Sequence, residues 1–156
     1  MTFKPKVLLD TNIVVDYVGE RHPYFKRTRL LLMLSNMGEV DAWLTSSQMT
    51  DLVYILSNGG NRRRIAAVLD ALKSMRQFIE IHPTSAEEVD AMLTTTWDDP
   101  EDYLLYESAK SINADCIISR DIEGFEPSMD IPVFDCDGFF NWLENEHGLV
   151  YDEIPS

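Results

Sequence analysis

Hydrophobic positions along this chain switch repeatedly between two periods. Val7-Leu8-Leu9 is an aliphatic run too short for a helix, and it ends abruptly in Asp10-Thr11-Asn12. Such a run predicts a strand of a parallel sheet, apolar on both faces. Thr11 or Asn12 then caps a short helix over 13–18, which leaves Asp10 at the carboxyl end of the strand. Pro23 fits a first helical turn, and helical spacing over 25–37 stops at Gly38. A second strand over 40–45 carries Trp43 and Leu44, and Ser46-Ser47 opens a helix with Met49, Leu52, Val53, Ile55 and Leu56. Asp51 falls about one turn inside it. The loop Asn58-Gly59-Gly60-Asn61 precedes a long amphipathic helix through Ile65, Val68, Leu69, Leu72 and Met75, with Arg62, Arg63 and Arg64 at its start.

The second half repeats the alternation. Residues 78–82 predict a third strand, and Thr84 with Glu87 forms a T-x-x-E capping box for a helix over 85–93. Asp99 reads as an N-cap with Pro100 at the first helical position, so a helix over 103–112 has Glu101 and Asp102 in its opening turn. Acids there suit the helix dipole. Cys116-Ile117-Ile118-Ser119 is a second apolar run ending in a polar group, followed by Arg120-Asp121. Pro132-Val133-Phe134 is a short last strand, and Asp137 caps a closing helix that Gly148 ends, before a tail over 149–156. The pattern predicts one α/β domain over 1–156, with its core over 7–143. Its architecture is a three-layer α/β/α sandwich around a central, largely parallel sheet.

Composition narrows the function. A chain of 156 residues with 45% hydrophobic positions can bury a full core without staples, and no run approaches a membrane span. The N-terminus lacks the basic-then-apolar order of a signal peptide, so a cytoplasmic protein is expected. Cys116 and Cys136 are too few for a disulfide framework and too isolated for zinc, and read as core residues. With 27 acids against 13 bases, a net charge of −14 excludes loose attraction to a polyanion. Any nucleic-acid role needs metal ions or a local basic patch. Ser47, Tyr103 and the three histidines have no triad-like setting, which ranks covalent nucleophilic catalysis low.

The architecture brings Asp10, Asp51, Asp102 and Asp121 toward the carboxyl edge of the sheet, where open α/β folds bind ligands. Taken singly, each is as readily a capping or solvated charge. Together they are not, because two carboxylates about 5 Å apart repel by roughly 3 kcal/mol at an effective dielectric near 20. Hard oxygen donors without sulfur or imidazole point to Mg²⁺ or Mn²⁺. A haloacid-dehalogenase phosphatase would need a second aspartate two positions after the first, where this chain has Asn12.

Leu8-Leu9-Asp10-Thr11-Asn12 resembles the opening motif of PIN-domain nucleases. Asp99-Pro100-Glu101-Asp102 is similar to their central acidic motif, and Ile117-Ile118-Ser119-Arg120-Asp121 to their closing hydroxyl-Arg-Asp motif. The resemblance spans 7–143, and the order of three motifs makes it specific. It implies the PIN α/β sandwich and divalent-metal-dependent cleavage of RNA. It also implies metal-binding and catalytic roles for Asp10, Asp102 and Asp121, with Asp51 as the second acid. That acid is often glutamate in the family, so Asp51 is one methylene short. Asp99 is a supporting acid or a helix cap, Thr11 and Ser119 can orient ligands or waters, and Asn12 can hold Asp10 or cap the helix. Arg62, Arg63 and Arg64 are the RNA-backbone candidates, with Lys26, Arg27 and Arg29 beside them. Single-domain members of this length resemble VapC toxins, which implies an antitoxin partner and a homodimer. The contrasting class is a non-catalytic PIN module acting in binding or assembly.

Overall fold

A computed structural model of the protein describes residues 2–125 and 130–151. Five parallel strands form one sheet in the order β3-β2-β1-β4-β5, comprising β1 (Lys6–Leu9), β2 (Asp41–Thr45), β3 (Ile79–His82), β4 (Cys116–Ile118) and β5 (Val133–Phe134). Seven helices alternate with them: α1 (Thr11–Val18), α2 (Phe25–Asn36), α3 (Ser46–Leu56), α4 (Arg62–Met75), α5 (Ala86–Leu93), α6 (Pro100–Ser111) and α7 (Cys136–His147). Val7, Leu8 and Leu9 are wholly buried, as a central strand covered on both faces requires. Strand alternation separates two cores. Val7, Leu9, Ala42, Leu44, Ile79, Cys116 and Ile118 pack with α1, α2, α3, α4 and α7. Leu8 and Ile117 face the opposite way, onto Leu105 and Ala109 of α6 and Ile112 just after it, and α5 lies beside α6. These are the three layers, and each fully buried aliphatic side chain contributes about 1.5–3 kcal/mol.

The helix starts depart from the sequence expectation in four places. Asp10, and not Thr11 or Asn12, caps α1, with its carboxylate accepting from the Thr11 N–H at 2.7 Å. Pro23 lies ahead of α2, whose cap residue is Tyr24. The capping box of α5 is Ser85 with Glu88, while the Thr84 N–H donates to Ser46 Oγ. Glu88 sits at that box because it is buried and must be satisfied, and it also accepts from His82, Ser108 and Ser111. Asp135, and not Asp137, caps α7, accepting from the Gly138 N–H at 2.7 Å, and Asp137 pairs with Arg27 instead. Gly148 closes α7 in the left-handed conformation, as expected. Of the expected tail, residues 152–156 lie outside the described residues.

Strand order reverses at β1, because β2 lies on one side of it and β4 on the other. The crevice beyond the carboxyl ends of β1 and β4 is therefore the topological switch point of the sheet. Asp10 N–H donates to Ile118 O at 2.8 Å, which carries the β1–β4 ladder one residue beyond the strands and draws the two polar ends together.

Candidate active site

Three elements deliver three carboxylates to that crevice. Asp10 stands at the end of β1 and is 8% exposed. One of its oxygens accepts from the Thr11 N–H and the other from Ser119 Oγ, both at 2.7 Å. Burial pushes its carboxyl above the ordinary range, against the lowering effect of these two bonds, and the charges of Asp121 and Asp99 push the same way as burial. Asp102 is held in the first turn of α6, 7% exposed, because the Asp99 side chain caps that helix through the N–H groups of Glu101 and Asp102 at 3.0 and 3.2 Å. Its carboxyl is raised to about 7, first by burial and then by Asp10, Asp99, Asp121 and Glu101. All four of those charges are negative. Asp121 follows β4 in an exposed turn. A short 3₁₀ turn at Ile122–Gly124 comes next, and a methyl group on Gly124 would run into Asp102 Oδ2 and lie 3.3 Å from Asp121 Oδ2. Glycine at 124 is thus what lets the two carboxylates share this space.

The hydroxyl of Ser119 joins the parts. It donates to Asp10, accepts from the Asp121 N–H at 3.0 Å, and receives Asn12 Nδ2 at 3.4 Å. Asn12 Oδ1 accepts from the Arg120 N–H at 3.1 Å, so Asn12 holds the Ser119-Arg120-Asp121 turn and neither caps the helix nor touches Asp10 directly. Thr11 receives Gln48, a residue the sequence reading passed over. Buried Gln48 donates to Leu9 O at 2.9 Å and to Thr11 Oγ1 at 3.3 Å, and accepts from the Thr45 N–H at 2.8 Å. It ties the end of β2 to the end of β1. The only sequence signal for it was its place three residues after Thr45, at the N3 position of a capping box. Asp99 is the helix cap of α6, and its charge also acts on Asp102.

Other candidates stand apart. Asp51 is exposed on α3, and the charges acting most strongly on Asp10 and Asp102 do not include it. Its influence falls on Glu101, whose carboxyl is raised first by burial and then by Asp51, Asp99 and Asp10. Asp51 and Glu101 line a groove of about 190 Å³ with Ser47, Gln48, Met92 and Leu105. Glu101, expected from the sequence as a charge suited to the helix dipole and as part of the central acidic motif, joins the candidate acids here. Arg62, Arg63 and Arg64 are exposed at the start of α4, where Asn61 caps through the Arg63 N–H. Among the described residues none of the three is ion-paired to the acids. Arg120, adjacent in sequence to Asp121, pairs with Asp16 of α1 instead.

The donor set suits a hard divalent cation: it is all oxygen and crowded, and the charges acting on Asp10 and Asp102 are those of other acids. Among the described residues no group of three or more His, Cys, Asp or Glu side chains is placed to hold a metal ion as it stands. Soft ligands are withheld, since both cysteines are buried and burial pushes the Cys136 thiol to about 12.

A family model of the PIN domain matches residues 6–123, and the chain belongs to the PIN-domain family. Among curated proteins it is similar to Ribonuclease VapC1 of Aquifex aeolicus (strain VF5), 25% identical over 131 residues, which cover 81% of this chain and 88% of that protein. The fold is shared with a chain in the crystal structure of VapBC2 from Rickettsia felis bound to a DNA fragment from their promoter. That match has a TM-score of 0.59 at 18% identity and covers 82% of this chain and 96% of the other. No helix among the described residues is long and apolar enough to cross a membrane.

Proposed function

We propose that the protein is an endoribonuclease of VapC type that hydrolyses RNA phosphodiester bonds with Mg²⁺ or Mn²⁺ held by Asp10, Asp102 and Asp121. The observation that carries this reading is the Asp102 carboxyl raised to about 7 by burial and by four neighbouring acids, a state that a bound cation would relieve. Similarity to Ribonuclease VapC1 supports RNA as the substrate. Asp10, Asp102 and Asp121 would hold the ion, which would supply Lewis-acid activation of a water and stabilisation of the leaving oxygen. The chain's own part is to prepare the site. Ser119 fixes one Asp10 oxygen and Thr11 the other, Asp99 sets the first turn of α6 that presents Asp102, and Gly124 leaves room beside Asp102 and Asp121. Without a cation, Asp102 is partly protonated near neutral pH, so the empty cluster does not carry its full charge. Asp51 and Glu101 border the site along the adjoining groove, and Arg62, Arg63 and Arg64 are the phosphate-backbone contacts.

Resemblance to VapC proteins and to a chain of the VapBC2 assembly supports the toxin of a toxin/antitoxin pair with an antitoxin protein as partner, and a homodimer is part of the same proposal. The exposed Asp51, shorter than the family's glutamate, favours one contrasting reading, a PIN module that binds without cutting. The test compares the purified chain with Asp10→Asn, Asp102→Asn and Asp121→Asn on a mixed RNA pool with Mn²⁺ or with chelator. Removing one ligand charge should lower the rate by about two to four orders of magnitude, about 3–5 kcal/mol of barrier. Cleavage at full rate in all three variants would sink the site, and no cleavage by any of the four proteins would put the binding module ahead.

A further inference from the structure

Arg120 stands between Ser119 and Asp121, yet its side chain is committed elsewhere. Its Nε donates to Asp16 Oδ2 at 2.7 Å and an Nη to Asp16 Oδ1 at 3.2 Å, a two-pronged pair with a carboxylate that is wholly buried on α1. The Tyr24 ring covers the guanidinium at 4.3 Å. Asp16 lies in α1 six residues after Asp10, and neither it nor Tyr24 is among the charges acting on Asp102. A guanidinium one residue from Asp121 is the cation best placed by the chain to neutralise that cluster, and the fold spends a buried carboxylate and an aromatic face on keeping it away.

We propose that Asp16 and Tyr24 form a holding site for Arg120, which keeps the acid cluster free to take a divalent cation. This inference rests on the proposed reading of the cluster as a cation site. Guanidinium is always charged and binds carboxylates through a rigid fork, so once released it would compete with the metal for Asp121 and its neighbours. Asp16 and Tyr24 are on this view positioning residues that act through Arg120 without touching metal or substrate.

The competition is separable from mere support of the turn. Mn²⁺ alone is titrated calorimetrically into the metal-free full-length wild type, Asp16→Asn, and the double variant Asp16→Asn/Arg120→Gln. The released arginine should weaken Mn²⁺ binding in Asp16→Asn by about tenfold. Removing its charge in the double variant should restore affinity to within about twofold of wild type, although the anchor of the turn is then gone on both sides. Equal weakening in single and double variants would mean that the pair is only a structural anchor and would overturn the inference. So would a wild-type affinity in Asp16→Asn. If Asp16→Asn does not fold, Tyr24→Leu, at an exposed position, serves in its place. Loss of the ring contact should weaken Mn²⁺ binding about threefold, and an unchanged affinity would overturn the inference. A wild type that takes no Mn²⁺ overturns the cation-site reading itself, and this inference with it.

Discussion

Replacing Asp102 by asparagine should stabilise the metal-free protein at pH 8. In the unfolded chain the Asp102 carboxyl titrates near 3.8, and in the folded chain near 7. A raised acid means that the folded state binds the proton more tightly, so the wild type loses stability as pH rises from about 4 to about 7 and regains none above that. At about 1.4 kcal/mol per pH decade the bound is about 4 kcal/mol. Solvent and the coupling among the acids reduce it, and about 2–3 kcal/mol is expected. Asparagine keeps the shape and removes the titration. The variant's melting temperature should therefore match the wild type near pH 4 and exceed it by roughly 4–12 °C at pH 8, at about 2–4 °C per kcal/mol for a chain of this size. Circular-dichroism melts at pH 4, 6 and 8 in chelator read this directly. Millimolar Mn²⁺ at pH 8 should then reverse the order, since only the wild type gains from binding to its folded state. A difference in melting temperature that does not change with pH, or a variant less stable than the wild type at pH 8 in chelator, would refute the picture of Asp102 as a crowded, buried charge.

Gly124→Ala should cost less than about 1 kcal/mol in stability, because the atom its methyl group meets is the end of a side chain that can rotate aside. The same rotation displaces Asp102, so Mn²⁺ affinity and RNA cleavage should fall at least tenfold, measured by titration and gel assay. Ser119→Ala removes a donor to buried Asp10 and an acceptor for the Asp121 N–H, and urea denaturation at pH 8 should show a loss of about 1.5–3 kcal/mol. Changing Arg62, Arg63 and Arg64 together to alanine should weaken single-stranded RNA binding and flatten its logarithmic salt dependence by up to about 2, read by filter binding across a salt series. Unchanged binding would place the RNA path elsewhere.

Order along the chain was legible because secondary structure follows local periodicity. Aliphatic runs such as Val7-Leu8-Leu9 and Cys116-Ile117-Ile118 have one way to be buried on both faces, and both are central strands. The acids after them, and Asp102 behind Asp99-Pro100, were visible for the same reason: element ends are marked by residues that satisfy free backbone groups. Cap choice was less legible, since Asp10 against Thr11, Ser85 against Thr84 and Asp135 against Asp137 differ by one or two residues in chemistry that is nearly interchangeable. Side-chain partners across the fold were not legible at all. Asp51 and Asp102 look alike in sequence, yet one is exposed and acts on Glu101 while the other is buried among acids, because exposure depends on where α3 and α6 lie against the sheet. Nothing in the sequence assigns Arg120 a partner, whereas the fold brings Asp16, 104 residues away, within 2.7 Å of its guanidinium. Gly124 carries no sequence signal of its role, which appears only where the carboxylates of Asp102 and Asp121 converge beside it. Local pattern specifies which residues end each element, while burial and charge compensation depend on neighbours distant in the chain, and only the packed sheet and helices choose those neighbours.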